Sequence, residues 1–130
     1  MIGSNAYNYI NVLDKAADAS WKRNELIAEN IANVDTPNYK RKDVQFEAYL
    51  RTAVSGGKSL DDDINNIDLN TINSTTYTEA YQYSFRMDNN NVDISTENAE
   101  LAKNQLRYYT LLDSMTQEFS RIKSVLSQAK

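Results

Sequence analysis

The chain has 130 residues, enough for one ordinary domain and not comfortably two, and 41% of them are hydrophobic. With no cysteine and no histidine, it excludes disulfides, thiolate chemistry, zinc sites with nitrogen or sulfur ligands, and histidine general bases. A net charge of −4 argues against nucleic acid as the main partner, because phosphate binding draws on a basic surface.

The first 34 residues read as a long helix. Ile10, Leu13, Ala17, Ser20, Asn24, Ile27, Ile31 and Val34 recur at alternating three- and four-residue spacing, the seam of a coiled-coil-like helix. Ser20 and Asn24 interrupt it, and polar residues at such positions weaken a seam while fixing its register. Pro37 has no amide hydrogen and restricts Thr36, so the helix is predicted to end near residues 33–35. The N-terminus has neither a basic stretch nor an apolar run, so no cleaved export signal is expected.

Residues 35–92 form the middle segment. The run Lys40-Arg41-Lys42 reads as a solvated basic turn. Residues 55–74, with Gly56-Gly57, Asp61-Asp62-Asp63 and scattered Asn, read as loop or disorder. Residues 77–87 alternate, with Tyr77, Glu79, Tyr81, Tyr83, Phe85 and Met87 on one side, and predict a half-buried strand. A turn follows at residues 88–91, and Val92-Asp93-Ile94 is expected to return as the second strand of a hairpin.

The last helix is predicted over residues 93–130, capped by short polar side chains between Asp93 and Thr96. Its seam is Leu101, Gln105, Tyr108, Leu112, Met115, Phe119, Ile122, Leu126 and Ala129. A second row of Ala102, Leu106, Tyr109 and Val125 widens the apolar stripe. The expected fold is therefore mainly α. Two long terminal helices pair as an antiparallel coiled coil around a small β and irregular, partly disordered middle. Two helices packed only on each other are marginal, so the double row predicts that they depend on partner subunits for full order.

Chemical motifs fail on inspection. Gly56-Gly57-Lys58-Ser59 lacks the upstream glycine of a phosphate-binding loop, where Thr52 stands. The Asp61, Asp63, Asn65 run lacks the glycine and glutamate of a calcium loop, where Asn66 and Ile72 stand. Asn73-Ser74-Thr75 matches a glycosylation acceptor with no secretory context. No catalytic residue, metal ligand or cofactor is expected.

The most unusual stretch is Glu29-Asn30-Ile31-Ala32-Asn33-Val34-Asp35-Thr36-Pro37-Asn38-Tyr39-Lys40-Arg41. Asn30 and Asn33 share one helical face beside the seam, and each offers two donors and two acceptors. On spacing alone this is either an ordinary helix end and turn or a dedicated interface. Asn30-Ile31-Ala32-Asn33 followed by a turn and Tyr39-Lys40 resembles the signature of the flagellar rod, hook and hook-associated proteins. A second matching block is Asn90-Asn91-Val92-Asp93-Ile94, Glu97 and Asn104-Gln105-Leu106-Arg107-Tyr108. The Asp35-Thr36-Pro37 turn, with Asp43-Val44-Gln45-Phe46 soon after, is similar to members at the base of the rod. The family usually carries glycine where Asn38 and Asn89 stand, and asparagine is the usual substitute for a left-handed backbone.

The resemblance implies a structural subunit that assembles helically, transmits torque and surrounds an export channel. It implies self-association and contact with other rod proteins such as FlgC and FliE, the MS ring and the export gate. It implies export without a cleaved signal, a location in the basal body, and neither membrane insertion nor a small-molecule substrate. Asn33 to Asp43 is then the candidate inter-subunit contact, and Ile10, Leu13, Ala17, Ile27 and Ile31 are expected to bury against the last helix. A sibling rod subunit such as FlgC, or a small secreted helical-hairpin effector, remains the alternative at this point.

Overall fold

The computed structural model describes residues 4–79 and 86–129. A 3-10 turn, Ser4–Tyr7, leads into helix α1, Asn8–Ala32. Strand β1, Lys42–Gln45, and two short helices, α2 at Glu47–Ala53 and α3 at Leu60–Asn65, follow. Strand β2, Thr75–Thr78, precedes the 35-residue helix α4, Ile94–Gln128.

The long helices run antiparallel. Near the end of α1, Asn30 meets Glu97, and in its middle Ser20 and Asn24 meet Asn104. Near its start, Ala6 and Tyr9 share a cleft with Glu118, Arg121 and Ile122. Helix α1 ends at Ala32 because Asn33 caps it, its Nδ2 donating 2.8 Å to the Glu29 carbonyl. Helix α4 starts where expected: the Asp93 carboxylate accepts from the Ser95 and Thr96 amides, which holds that carboxyl below its usual range.

That cap also removes the expected return strand. Ile94 is the first residue of α4, and Val92 is buried beside the cap. The partner of β2 is instead β1, antiparallel, with Lys42 opposite Thr78 and Gln45 opposite Thr75. Of the half-buried strand predicted over 77–87, Tyr77 and Thr78 lie in β2, which is exposed along its length rather than half-buried, Glu79 lies beyond its end, and residues 86–88 form a bend and turn. Positions 80–85 of that predicted strand lie outside the described residues.

The middle is more ordered than its composition predicts. Ser59 caps α3 by accepting from the Asp62 amide, and Ile64 and Ile72 are buried. Ala19 and Leu26 of α1 form a core with Val44, Phe46 and Ile72, flanked by Leu50, Ala53 and Ile67. Helix α1 is thus covered by α4 along one side and by the middle segment along another.

Helix α4 is covered much less. Its only buried residues among those described are Glu97 and Asn104, both polar and both in its first eleven residues. The Asn104 Nδ2 donates to the Ser20 carbonyl at 2.7 Å and to Asn24 Oδ1 at 2.9 Å, while its own Oδ1 has no partner. These bonds set the helix's rotation. Leu101, Tyr108, Met115 and Ile122 of the expected seam are half-buried, whereas Leu112 is exposed, Phe119 is 51% exposed and Leu126 55%. Arg107, Leu111, Ser114 and Glu118 are half-buried as well, each one residue earlier than a position of the expected seam. On α1, Ile10, Ala17 and Ile27 are buried, and Leu13 and Ile31 half-buried.

Candidate functional site

The motif at the end of α1 is built around Asn30, whose side chain is wholly enclosed. Its Nδ2 donates to the Lys42 carbonyl at 2.9 Å and to Glu97 Oε2 at 3.1 Å. Its Oδ1 accepts from the Lys42 amide at 2.9 Å and from the Tyr39 hydroxyl at 3.1 Å. All four hydrogen-bonding positions of the amide are filled, and one side chain joins α1, the turn, β1 and α4.

The second block closes on the first. Asn90, also enclosed, places its Nδ2 2.8–3.0 Å from the carbonyls of Asn33, Val34 and Thr36. Its Oδ1 accepts from the Val92 amide at 2.8 Å. The Asn38 amide donates to the Asp88 carbonyl at 2.8 Å, and Arg86 NH1 to the Val34 carbonyl at 2.6 Å. Asn38 and Asn89 have φ of 62° and 59°, so both occupy the left-handed region. They also touch each other, Asn89 Nδ2 lying 3.3 Å from Asn38 Oδ1.

The basic run is not a solvated turn. Lys40 donates to the Asn89 carbonyl and Lys42 pairs with Glu29. The Arg41 side chain is largely enclosed, pairing with Glu97 through Nε and with Glu79 at 2.7 Å and Asp43 at 3.2 Å through NH1. Burial disfavours its charge, but the hydrogen bond and attraction of Glu97 and the other two carboxylates hold its pKa above the ordinary arginine value. Sequence reasoning missed this because three adjacent bases look solvated until Glu97, 56 residues from Arg41, is brought beside them.

A second buried arginine, Arg23, also escaped the sequence reading. It donates to Asp43 at 2.9 Å, to the Val44 carbonyl at 2.7 Å and to both Glu47 oxygens at 2.6 and 2.9 Å. The Glu47 carboxyl is thereby held down to about 2, mainly by Arg23. Arg107 of α4 reaches the same carboxylate at 2.7 Å. The available signal was Arg23 standing among the apolar positions of α1, four residues before Ile27.

The motif residues therefore divide. Asn30 is consumed within the chain, while Ile31, Asn33, Tyr39 and Lys40 are half-buried. Ala32, Asp35, Thr36, Pro37 and Asn38 face solvent. The carboxylates at this junction are held by guanidinium, ammonium or amide groups. Among the described residues, no three His, Cys, Asp or Glu side chains gather to hold a metal ion. Nor is any described helix long and apolar enough to cross a membrane.

The two blocks that stand far apart in sequence thus form one junction, and comparison with known proteins gives it a family. The family model described as "Flagella basal body rod protein" matches residues 10–40, which contain Asn30 and the turn. The flagellar basal body rod protein FlgB of Bacillus subtilis (strain 168) is 34% identical over 122 residues, covering 93% of this chain and 95% of that protein. This chain belongs to the FlgB family of flagellar basal body rod proteins. FlgB of Escherichia coli (strain K12) is 29% identical over 125 residues, covering 86% of this chain and 88% of its own length. FlgB of Borrelia hermsii is 49% identical over a shorter stretch of 49 residues, 38% of this chain. Alignment along nearly the whole B. subtilis protein takes in both halves of the junction. The FlgB assignment also agrees with the Asp35-Thr36-Pro37 form of the turn.

Proposed function

We propose that this chain is a structural, non-catalytic subunit of the flagellar basal-body rod, at its proximal end. One observation carries the reading beyond the family: the buried side chains of α4 are two polar groups, Glu97 and Asn104, whereas many of its large apolar side chains remain exposed. A 35-residue helix with Leu106, Tyr109, Phe119 and Leu126 in solvent is made to be covered by neighbours. Those neighbours are further copies and other rod proteins such as FlgC and FliE, with the MS ring and export gate at the base. The assembled helices transmit torque and surround the export channel.

In this reading the junction is a brace and the exposed part of its turn, Asp35 to Asn38, is the inter-subunit contact. The whole chain acts as one axial unit. The test is complementation of a strain lacking its rod subunit. The wild-type gene restores swimming. Leu112→Asp, which places a charge on the exposed apolar row, leaves the protein expressed and folded but abolishes motility. Failure of the wild-type gene in its own organism, or normal swimming of the Leu112→Asp strain, contradicts the reading.

A further inference from the structure

A groove of about 230 Å³ opens between α1, α2 and α4. Ala16, Ala19, Phe46, Leu50 and Leu111 line it, together with Ser20 and the Arg23–Glu47 ion pair. Small-molecule sites usually measure about 300–1,000 Å³, so this volume suits one or two side chains better than a cofactor. Arg107 stands at the mouth. It engages Glu47 through NH1 alone, and its side chain is 40% exposed.

The complement to this groove is on the same helix. Leu106 is 71% exposed and Tyr109 68%. With Asp113, also exposed, they form an i, i+3, i+7 stripe. At 3.6 residues per turn the stripe lies ~150° around α4 from the groove-lining Arg107 and Leu111. Asp113 Oδ2 accepts from Gln117 at 2.9 Å, which leaves Oδ1 available to a guanidinium.

We propose that this groove receives the Leu106–Tyr109 edge of a second copy of this chain, with Asp113 of that copy meeting Arg107. Donor stripe and acceptor groove face nearly opposite ways on one helix. The contact is therefore heterologous: a bound pair keeps one free groove and one free stripe, so further copies add to it, and the pair does not close as a symmetric dimer. The contact is small, so association of the isolated chain is weak and concentration-dependent. The inference rests on the rod-subunit reading for its biological meaning and on the two surfaces for its geometry.

Sedimentation equilibrium of the full chain, from micromolar to millimolar, tests it. The mean mass should rise past that of a dimer without a plateau. Arg107→Glu and Asp113→Arg, each with unchanged circular dichroism, should each weaken association at least tenfold. A mixture of the two variants should restore it, because each presents the charge the other lacks. Leu106→Asp gives the same loss without touching the charge pair. A mass that stays monomeric, a plateau at dimer, or no restoration on mixing overturns the proposal. If the chain associates as described but does not restore motility, the rod reading fails and the contact stands. If it restores motility yet stays monomeric, the contact fails and the rod reading stands.

Discussion

Asn30 Nδ2 donates a 3.1 Å hydrogen bond to Glu97 Oε2 between two fully enclosed side chains that are 67 residues apart. Truncating Asn30 orphans the Lys42 amide and carbonyl and removes a donor from a buried carboxylate. Each orphaned buried group costs about 1–3 kcal/mol, so Asn30→Ala should lose ~3 kcal/mol or more in urea unfolding followed by circular dichroism. Asn33→Ala, which removes only the bonds to Glu29 and Thr36 at a half-buried cap, should lose about 1 kcal/mol.

The Arg41–Glu97 pair should behave as a unit. Arg41→Met leaves Glu97 charged and enclosed, a change that typically costs about 3–5 kcal/mol. Adding Glu97→Leu removes the stranded charge and should recover a large part of that loss. A double-mutant cycle by chemical denaturation would read a coupling of ~1 kcal/mol or more, and strict additivity would deny the pair its role.

Glu47 gives the chain an acid limb. Its carboxyl falls from the ordinary 4.5 to about 2 in the fold, with Arg23 the chief cause. The folded state therefore binds fewer protons than the unfolded chain in this range. The stabilisation is complete above pH 4.5 and is lost as the pH falls towards 2. Thermal melts should show Glu47→Gln less stable than wild type at neutral pH, with the gap narrowing across that window. The side chain is 47% exposed and screened by solvent, so the effect is modest.

Asn104 has the opposite sign. It buries an oxygen without a partner in the middle of the helix pair. Asn104→Leu should raise the unfolding free energy by on the order of 1 kcal/mol, as removing a polar residue from a coiled-coil seam does. A lower melting temperature in this variant would mean that its bonds to Ser20 and Asn24 outweigh the orphaned oxygen.

Much of the fold is legible along the chain, because periodicity and caps act locally. Pro37 and Asn33 end α1, Asp93 starts α4, and Asn38 and Asn89 adopt the left-handed backbone that their position in the turns predicts. What apolar spacing could not reveal is the rotation of α4. That is fixed by Glu97 and Asn104, and a polar residue gives no sign of burial until its partner, Asn30 or Asn24, is in place. The same holds for Arg41 and Arg23. Helix α3 escaped detection because six residues are too few to show a period, and its cap, Ser59, sat inside a stretch that reads as loop.

A building block of the rod must be present in the finished structure, so mass spectrometry of hook–basal bodies purified from its own organism should find this chain in amounts comparable to the other rod proteins and far below those of the hook subunit. Its absence from basal bodies that contain the other rod proteins would contradict that role.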